Sequence, residues 1–262
     1  MESVWHLYDK NFQKNKSGST NLNILYQEGN VFVMDNHLAA AWCWLHMLER
    51  EKIYNFCHID QHDDLANDNH ELFKELFYNE KIISINDYTS LVAKQAHGII
   101  IPPCKIIRWD NYILHTKAIR PNWFTKEIYA CHKFVSGKRC SLTNEQEYEK
   151  YFDIDEGFVP VAIHPQNIDC FDLNRNLEEA LNNDDGELWI INLDIDYFFN
   201  NGKQIFSSEY INSVCSQINQ VRKKIAIITI ALSPECCGGW DNSIKVYNQI
   251  AKNLSITMKI KS

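Results

Sequence analysis

Acidic and histidine side chains recur at every second position in two short runs of the sequence. The first run, HIDQHDD, contains Asp60, His62 and Asp64, and the second, NLDIDYFF, contains Asp194 and Asp196. In an extended chain, residues two apart point to the same side, so the members of each run can converge. We therefore expect four carboxylates and one imidazole to meet at one place.

Such a cluster needs compensating positive charge. Carboxylates that share a cleft raise one another's pKa and cannot all stay ionised there. A mixed carboxylate and imidazole set favours Mn²⁺ or a related ion over a thiolate zinc site. Two such ions, roughly 3.5 to 4 Å apart, can activate a shared water near neutral pH. The pattern predicts metal-dependent hydrolysis, although each run alone also occurs in solvated loops and capped turns.

Apolar runs of strand length precede the two acidic runs. The segment IYNFCHID ends in Asp60, and the apolar run within 187–193 stops at Asp194. Two more runs, at 31–34 and 225–232, also end abruptly in polar residues. Continuous apolar runs are typical of parallel strands buried on both faces. Because open α/β sheets bind ligands at the carboxyl ends of their strands, the acidic runs lie where a site is expected.

Helical periodicity alternates with these strands. Helices are predicted over 38–50, 71–79, 207–224 and 243–254, with Asp35 or Asn36 as the cap of the first. Strand, helix and strand in succession predict an α/β fold with a mainly parallel central sheet. The 262 residues suit a single domain, and the Pro-flanked stretch around 99–171 is interpreted as an insertion or edge region with hairpins.

Composition narrows the class of protein. The formal net charge of -8 argues against nucleic acid as the main partner and suits a cationic substrate better. Nine cysteines without CxxC spacing favour a reducing cytoplasm. No export signal or membrane-spanning stretch is visible, so we expect a cytoplasmic protein without membrane contact.

The motifs resemble those of the arginase and deacetylase superfamily. His37 at a strand-to-helix junction, DxHxD and DxD occur in that order and at similar spacing. More narrowly, CHIDQHDD and the late SPECCGGWDNS resemble the peptide arginases of ribosomal peptide maturation, which convert arginine side chains of a precursor peptide to ornithine and release urea. The resemblance extends over about 31–239, with no match in the middle region. It implies a three-layer α/β/α arginase-like fold, two Mn²⁺ ions and an arginine-containing precursor peptide as substrate.

The resemblance also implies a ligand set. One ion would be held by His37, Asp60, Asp64 and Asp194, and the other by Asp60, His62, Asp194 and Asp196. Asp60 and Asp194 would bridge the two ions.

Three further roles follow from the resemblance. His97, in AHGIIIP, is nominated as the general acid for the leaving amine, in a relay with Asp64. His70 is the competitor, because His97 follows Asp64 at a longer spacing than in arginases. Glu235 could accept two N–H bonds from a guanidinium. The alternative for His97 is a histidine with a purely structural role, and the alternative for Glu235 is an ordinary surface turn.

Several functions stay open at the level of sequence. A ureohydrolase acting on free arginine or agmatine would use the same motifs. A zinc-dependent, deacetylase-like amidohydrolase fits less well, because the chain has no adjacent histidine pair. A metal-free peptide-binding scaffold is the third possibility.

Cys236 and Cys237, followed by two glycines, are expected to form a tight loop beside the site. The sequence does not indicate the oligomeric state of the protein or which arginines of a precursor peptide would be modified.

Overall fold

A mixed sheet of eight strands organises the chain. The computed structural model describes residues 3–66, 70–79, 82, 84–96, 99–131, 165–167, 173–182 and 186–261. Its strands are β1 (Ser3–Tyr8), β2 (Ile24–Glu28), β3 (Val31–Met34), β4 (Tyr54–Ile59), β5 (Val92–Ala96), β6 (Ile99–Lys105), β7 (Phe124–Ala130), β8 (Pro165–Asn167), β9 (Trp189–Asp194), β10 (Phe199–Asn200), β11 (Lys203–Gln204) and β12 (Ile225–Ala231). The main sheet has the order β1-β2-β3-β12-β9-β4-β7-β8, while β5 pairs with β6 and β10 with β11.

The predicted parallel centre of the sheet is confirmed. Within the described main sheet, β3, β12, β9, β4, β7 and β8 are parallel to their neighbours in that order, whereas β2 is antiparallel to both β1 and β3. The apolar runs at 31–34 and 225–232 correspond to β3 and β12. Isoleucines of β9 and β12 are buried on both faces of the sheet, which is why these segments are continuously apolar.

Helices cover both faces of this sheet. They are α1 (Ala40–Met47), α2 (His70–Asn79), α3 (Ile85–Thr89), α4 (Tyr112–Ile119), α5 (Leu173–Asn182), α6 (Ser208–Gln220) and α7 (Trp240–Asn253). Apolar residues of α1 to α4 join one core cluster, and those of α5 to α7 join the other. The strands contribute alternate residues to the two clusters, so the arrangement is an α/β fold compatible with three layers.

The stretch around 99–171 contributes to the sheet where it is described. Strand β7 pairs with β4, and β8 pairs with β7 and ends the described sheet. The β5 and β6 hairpin is outside the main sheet. Residues 132–164 and 168–171 of this predicted insertion or edge region lie outside the described residues.

The register of the central strands brings their carboxyl ends to one level. Ala231, the last residue of β12, pairs with Met34 on one side and with Asp194 on the other. Ile59, at the end of β4, pairs with Leu193. The segments that follow β3, β4, β9 and β12 therefore meet at one edge of the sheet. Across the described ranges, no helix combines the length and apolar character needed to cross a membrane.

Candidate metal centre

His37 approaches three carboxylates that come from two strands. It begins a short 3₁₀ helix, His37–Ala39, whose cap is Asn36, because the Asn36 side chain accepts a hydrogen bond from the Leu38 amide. The His37 Nδ1 atom lies 2.6 Å from Asp194 Oδ2, 3.3 Å from Asp60 Oδ2 and 3.4 Å from Asp64 Oδ2. The structure thus brings together one imidazole and three of the predicted acidic ligands.

A second group shares Asp60 with the first. His62 Nδ1 lies 3.5 Å from Asp60 Oδ1 and 3.2 Å from Asp196 Oδ2. Asp60, Asp194 and Asp196 are buried, whereas the His62 side chain keeps 32% of its surface exposed. All six predicted ligands therefore lie in one cluster, and two sets within it, His37 with Asp60 and Asp194, and His62 with Asp60 and Asp196, could hold a metal ion.

Turns rather than extended strands bring these side chains together. Asp194 ends β9, but Asp196 lies in a 3₁₀ helix, Ile195–Phe198. Asp64 has a positive φ of 53°, which few residues other than glycine adopt. The expectation of an extended chain through DxHxD and DxD was therefore wrong, although the spacing still identified the right residues. An acidic side chain can hydrogen-bond the amide two residues ahead, so these sequences favour tight turns.

Each of three carboxylates accepts a backbone hydrogen bond on one oxygen and directs the other towards the cluster. Asp60 Oδ1 accepts from the His62 amide at 2.7 Å, and Asp194 Oδ1 accepts from the Asp196 amide at 2.8 Å. Asp196 Oδ1 accepts from the Gln61 amide at 3.0 Å. Because backbone hydrogen bonds fix these orientations, the remaining oxygens are positioned before any ligand binds.

Two buried atoms of the cluster lack a hydrogen-bond partner among the described residues. Neither His37 Nδ1 nor Asp60 Oδ2 has a hydrogen bond of normal geometry to any described residue. Unpaired polar atoms in a buried position are costly. Their lone pairs converge with those of Asp194, and a divalent cation would satisfy all of them. The donor set is carboxylate and imidazole, which suits such an ion.

Without a metal, the cluster balances its charge with protons. Burial disfavours a charged imidazole, but Asp196 and Asp60 outweigh it and raise the pKa of His62 to about 11. Burial and the neighbouring Asp194 raise the pKa of Asp196 to about 7. Against its burial, Asp64 and Asp194 hold the pKa of His37 well above its ordinary value. Positive charge is therefore what this cluster requires, and a metal ion would replace protons there.

Asp64 is oriented by a buried chain of hydrogen bonds. The Tyr112 hydroxyl donates to Asp64 Oδ2 at 3.0 Å and accepts from Asn192 Nδ2 at 2.8 Å. Asn192 Oδ1 in turn accepts from the Thr229 hydroxyl at 2.7 Å. This chain crosses from α4 through β9 to β12, so it ties the position of Asp64 to the centre of the sheet.

We predict that Tyr112→Phe weakens the binding of a divalent metal ion, measured with Mn²⁺, by about 10- to 100-fold, the cost typical of losing a group that orients a ligand. Titration calorimetry measures the affinity. Tyr88→Phe is the matched control, because Tyr88 is equally buried and its hydroxyl has no hydrogen-bond partner among the described residues. Equal affinities of the two variants would show that Tyr112 does not position Asp64.

His58 is a neighbour of the cluster but not a ligand. Its Nε2 lies 3.7 Å from Asp60 Oδ2 and 4.0 Å from Asp64 Oδ2, so it belongs to a third geometric set. However, Asn192 Nδ2 donates to His58 Nδ1 at 2.9 Å, and Nε2 lies 3.1 Å from the His62 carbonyl oxygen. These contacts assign a neutral ring that donates from Nε2, and burial lowers the pKa of His58 to about 4. His58 therefore holds the His62 turn.

A cavity of about 210 Å³ opens beside the cluster. Four of the six predicted ligands line it, namely His37, His62, Asp64 and Asp196. The other lining residues are Trp109, Asp110, Ser233 and Cys236. The Ser233 hydroxyl donates to Asp194 Oδ2 at 2.5 Å. The predicted loop of Cys236 therefore does lie beside the site.

Glu235 does not line this cavity. Its side chain is exposed, and its Oε1 accepts a hydrogen bond from the Ser17 amide at 2.8 Å. This contact is typical of a surface turn, which was the alternative interpretation of the SPE sequence. It gives no support to guanidinium binding by Glu235. His97 lies outside the described residues, and so does the side chain of its competitor His70.

Sequence reasoning missed four polar residues of the site. His58 was detectable, because the alternation of Asp60, His62 and Asp64 extends back to it. Asn192 likewise precedes Asp194 by two residues in β9 and shares its face. Tyr112 and Ser233 carried no such signal, since they reach the cluster from α4 and from the segment after β12.

Comparison with known proteins does not assign the chain to a family. The sequence matches no protein-family model and no curated protein. The chemistry must therefore be argued from the site.

Proposed function

We propose that the protein is a binuclear manganese hydrolase that converts arginine side chains of a peptide to ornithine and urea. The observation that carries the proposal is the pair of ligand sets that share Asp60 beside a cavity sized for a side chain. His37, Asp60, Asp64 and Asp194 would hold one ion, and His62, Asp60, Asp194 and Asp196 the other.

The ligand chemistry supports manganese. The proposed ligands are oxygens and ring nitrogens, and none is a thiolate. Bound Mn²⁺ would supply Lewis acidity that activates water near neutral pH. Burial of Cys236, with the charge of Asp196 next to it, raises the pKa of its thiol. The thiol therefore stays protonated, which disfavours both its ligation and its nucleophilic attack.

The cavity favours a single cationic side chain. Its volume of about 210 Å³ is smaller than that of typical ligand pockets, about 300 to 1,000 Å³. Carboxylates of Asp64 and Asp196 line it, and the Trp109 ring offers an aromatic surface to a guanidinium. The Trp109 amide donates to the Ser19 carbonyl oxygen at 3.0 Å, which fixes the backbone at this wall.

The lining supports a peptide over free arginine as the substrate. Free arginine carries an α-carboxylate that must be paired when it is bound. None of the residues that line the described cavity is lysine or arginine. Nearby Arg108 already binds Asp110 through two hydrogen bonds, at 2.9 and 2.8 Å. An arginine within a peptide has no free carboxylate and avoids this conflict.

The reaction adds water across the guanidinium carbon and breaks its bond to the side-chain nitrogen. That nitrogen must gain a proton to leave as the ornithine amine. Asp64 is our candidate relay, since Tyr112 orients it at the cavity wall. The role of His97 as the final proton donor stays a prediction.

The decisive assay is incubation of the Mn²⁺-loaded protein with an arginine-containing peptide. We predict urea together with a loss of CH₂N₂ from the peptide by mass spectrometry. Asp194→Asn should reduce kcat/KM by at least about 100-fold, since it removes a proposed ligand and not merely an outer contact. Asp241→Asn, which alters an exposed carboxylate on α7, is the control.

Other substrates give outcomes that contradict the proposal. Urea from free arginine or agmatine alone would remove the peptide assignment. Deacetylation of an acetyl-lysine peptide, without urea, would indicate the deacetylase-like reaction instead. Unchanged urea production by Asp194→Asn would exclude this metal cluster as the active site.

A further inference from the structure

A second concave surface lies away from the metal cluster, between the N-terminal strand and the C-terminal tail. Its volume is about 440 Å³, twice that of the cavity at the metal cluster. One wall is formed by β1 and the short helix that follows it, and the other by the tail segment 258–261. We call this surface the lysine groove, after Lys10, Lys14, Lys259 and Lys261, which border it.

Aromatic and aliphatic groups form the floor of the lysine groove. Phe12, Met258 and Ile260 are buried and belong to the core cluster beneath it. Trp5 and Tyr8 remain 43% and 55% exposed, with their ring centroids 4.6 Å apart. Large exposed aromatic surface rimmed by charges is characteristic of binding sites. An apolar side chain of a partner would find a ready contact here.

The charge of the lysine groove is opposite to that of the whole protein. All four lysines are exposed, in a chain with a formal net charge of -8. None of the described lining residues is acidic. Nearby Asp9 is engaged, since its two oxygens accept from the Asn11 amide and the Asn15 side chain, each at 2.8 Å. The groove is therefore a local cationic surface on an anionic protein.

Hydrogen bonds hold the two walls in place. Gln13 Nε2 donates to the Lys261 carbonyl oxygen at 2.5 Å, which connects one wall to the other. Tyr247 and Asn248 of α7 donate to the carbonyl oxygens of Met258 and Ile260, at 3.1 and 2.8 Å. The groove is thus formed in the absence of a partner, which lowers the entropic cost of binding.

The lysine groove is connected to the metal centre by a short piece of chain. Lys14 is followed by Asn15, whose carbonyl oxygen accepts from Trp240 Nε1 at 3.1 Å. Two residues later the Ser17 amide binds Glu235, and the Ser17 hydroxyl donates to Asp35 at 2.7 Å, two residues before His37. This segment therefore links one wall of the groove to the strand end that carries His37.

We propose that the lysine groove docks an acidic segment of the peptide substrate, in which glutamate or aspartate alternates with apolar residues. The lysines would pair with its carboxylates, and Trp5 and Tyr8 would contact its apolar side chains. Nucleic acid fits less well, because its continuous phosphate charge would extend beyond four lysines onto an acidic protein. The docking role rests on the proposed function, since it concerns the same substrate.

Direct binding tests the lysine groove independently of catalysis. The probe is a fluorescein-labelled short peptide of alternating glutamate and leucine, without arginine, followed by fluorescence anisotropy at low ionic strength. We expect saturable binding that weakens with added salt. Two double variants, Lys10→Glu with Lys14→Glu and Lys259→Glu with Lys261→Glu, should each weaken it by at least about tenfold. Lys203→Glu with Lys223→Glu is the control, because both lysines are exposed and outside the groove.

Three results would overturn the docking proposal. The first is that a peptide of alternating lysine and leucine binds as tightly as the acidic probe. The second is that neither groove double variant changes the affinity for the acidic probe. The third is that a single-stranded oligonucleotide of equal length binds more tightly than the acidic probe. Any of them would remove the acidic peptide as occupant.

A kinetic arm separates this proposal from the proposed function. Arginine peptides with and without an acidic extension are compared for urea production. Urea from both with equal KM would leave the hydrolase standing and remove the docking role. Binding of the acidic probe as expected, with no urea from any arginine peptide, would leave the groove standing and remove the proposed function.

Discussion

Replacing Asp60 by asparagine should abolish metal binding and, with it, hydrolysis. Asp60 is fully buried and belongs to both ligand sets, so one substitution affects both proposed ions. Its Oδ2 faces His37, while its Oδ1 holds the His62 turn through the His62 amide. An amide in place of the carboxylate removes the charge, and its NH₂ group cannot act as a ligand.

The expected loss of Mn²⁺ affinity exceeds about 100-fold, because outer groups that only orient a ligand already cost about 10- to 100-fold. Titration calorimetry and the metal content of purified protein measure it. Asp63→Asn is the matched control in the same loop, since Asp63 is also buried but belongs to none of the metal sets. Circular dichroism of both variants shows whether the fold is kept. Wild-type affinity in Asp60→Asn would exclude the shared-ligand arrangement.

The fold was predictable because parallel strands leave a strong signal. A strand buried on both faces is mostly apolar, so β3, β4, β9 and β12 appear as apolar runs in which polar residues such as His58, Asn192 and Thr229 are few. Each run ends where polar residues begin, and those residues face the carboxyl edge of the sheet. The meeting of the acidic residues at this edge was predictable from sequence, since Asp60 and Asp194 come directly at the ends of β4 and β9.

Contacts between distant segments were not predictable. Tyr112 reaches Asp64 across 48 positions of sequence, and Ser233 reaches Asp194 across 39. No local periodicity encodes such pairs. Glu235 shows the opposite problem, because a carboxylate after a strand fits a substrate contact and an ordinary turn equally well. Its contact with the Ser17 amide, which the sequence does not reveal, favours the turn.

Metal affinity should rise steeply with pH. The imidazoles of His37 and His62 must release their protons before they can coordinate a metal ion. Neighbouring carboxylates raise the pKa of His62 to about 11, against the effect of burial, and also raise that of His37. Each proton released on binding makes the apparent affinity tenfold higher per pH unit. His62 alone therefore predicts an increase of about tenfold per unit between pH 6.5 and 9, and His37 adds to it in the same direction.

Calorimetric titration in buffers of different ionisation enthalpy counts these protons directly. The observed heat of Mn²⁺ binding should vary with the buffer, and its slope should give at least about one released proton near pH 7.5, that of His62. His62→Gln should lower the count by one, because glutamine has no proton to release. A binding enthalpy independent of buffer would show that His37 and His62 are neutral in the metal-free protein.

The pH dependence of the stability of the metal-free protein tests the same protonation states by a second measurement. The pKa of His62 in the folded protein, about 11, lies above its ordinary value of 6.5, so its stabilisation is complete below pH 6.5 and is lost as the pH rises towards 11. The raised pKa of Asp196 acts in the same direction between its ordinary 3.8 and about 7, because only the folded state keeps that proton. The melting temperature of metal-free protein should therefore fall from pH 6.5 to 9. Mn²⁺ would supply the positive charge that the protons otherwise supply, so the increase in melting temperature on adding Mn²⁺ should grow from pH 6.5 to 9. A constant difference between the melting temperatures of the metal-free and the Mn²⁺-loaded protein would contradict this exchange of protons for metal.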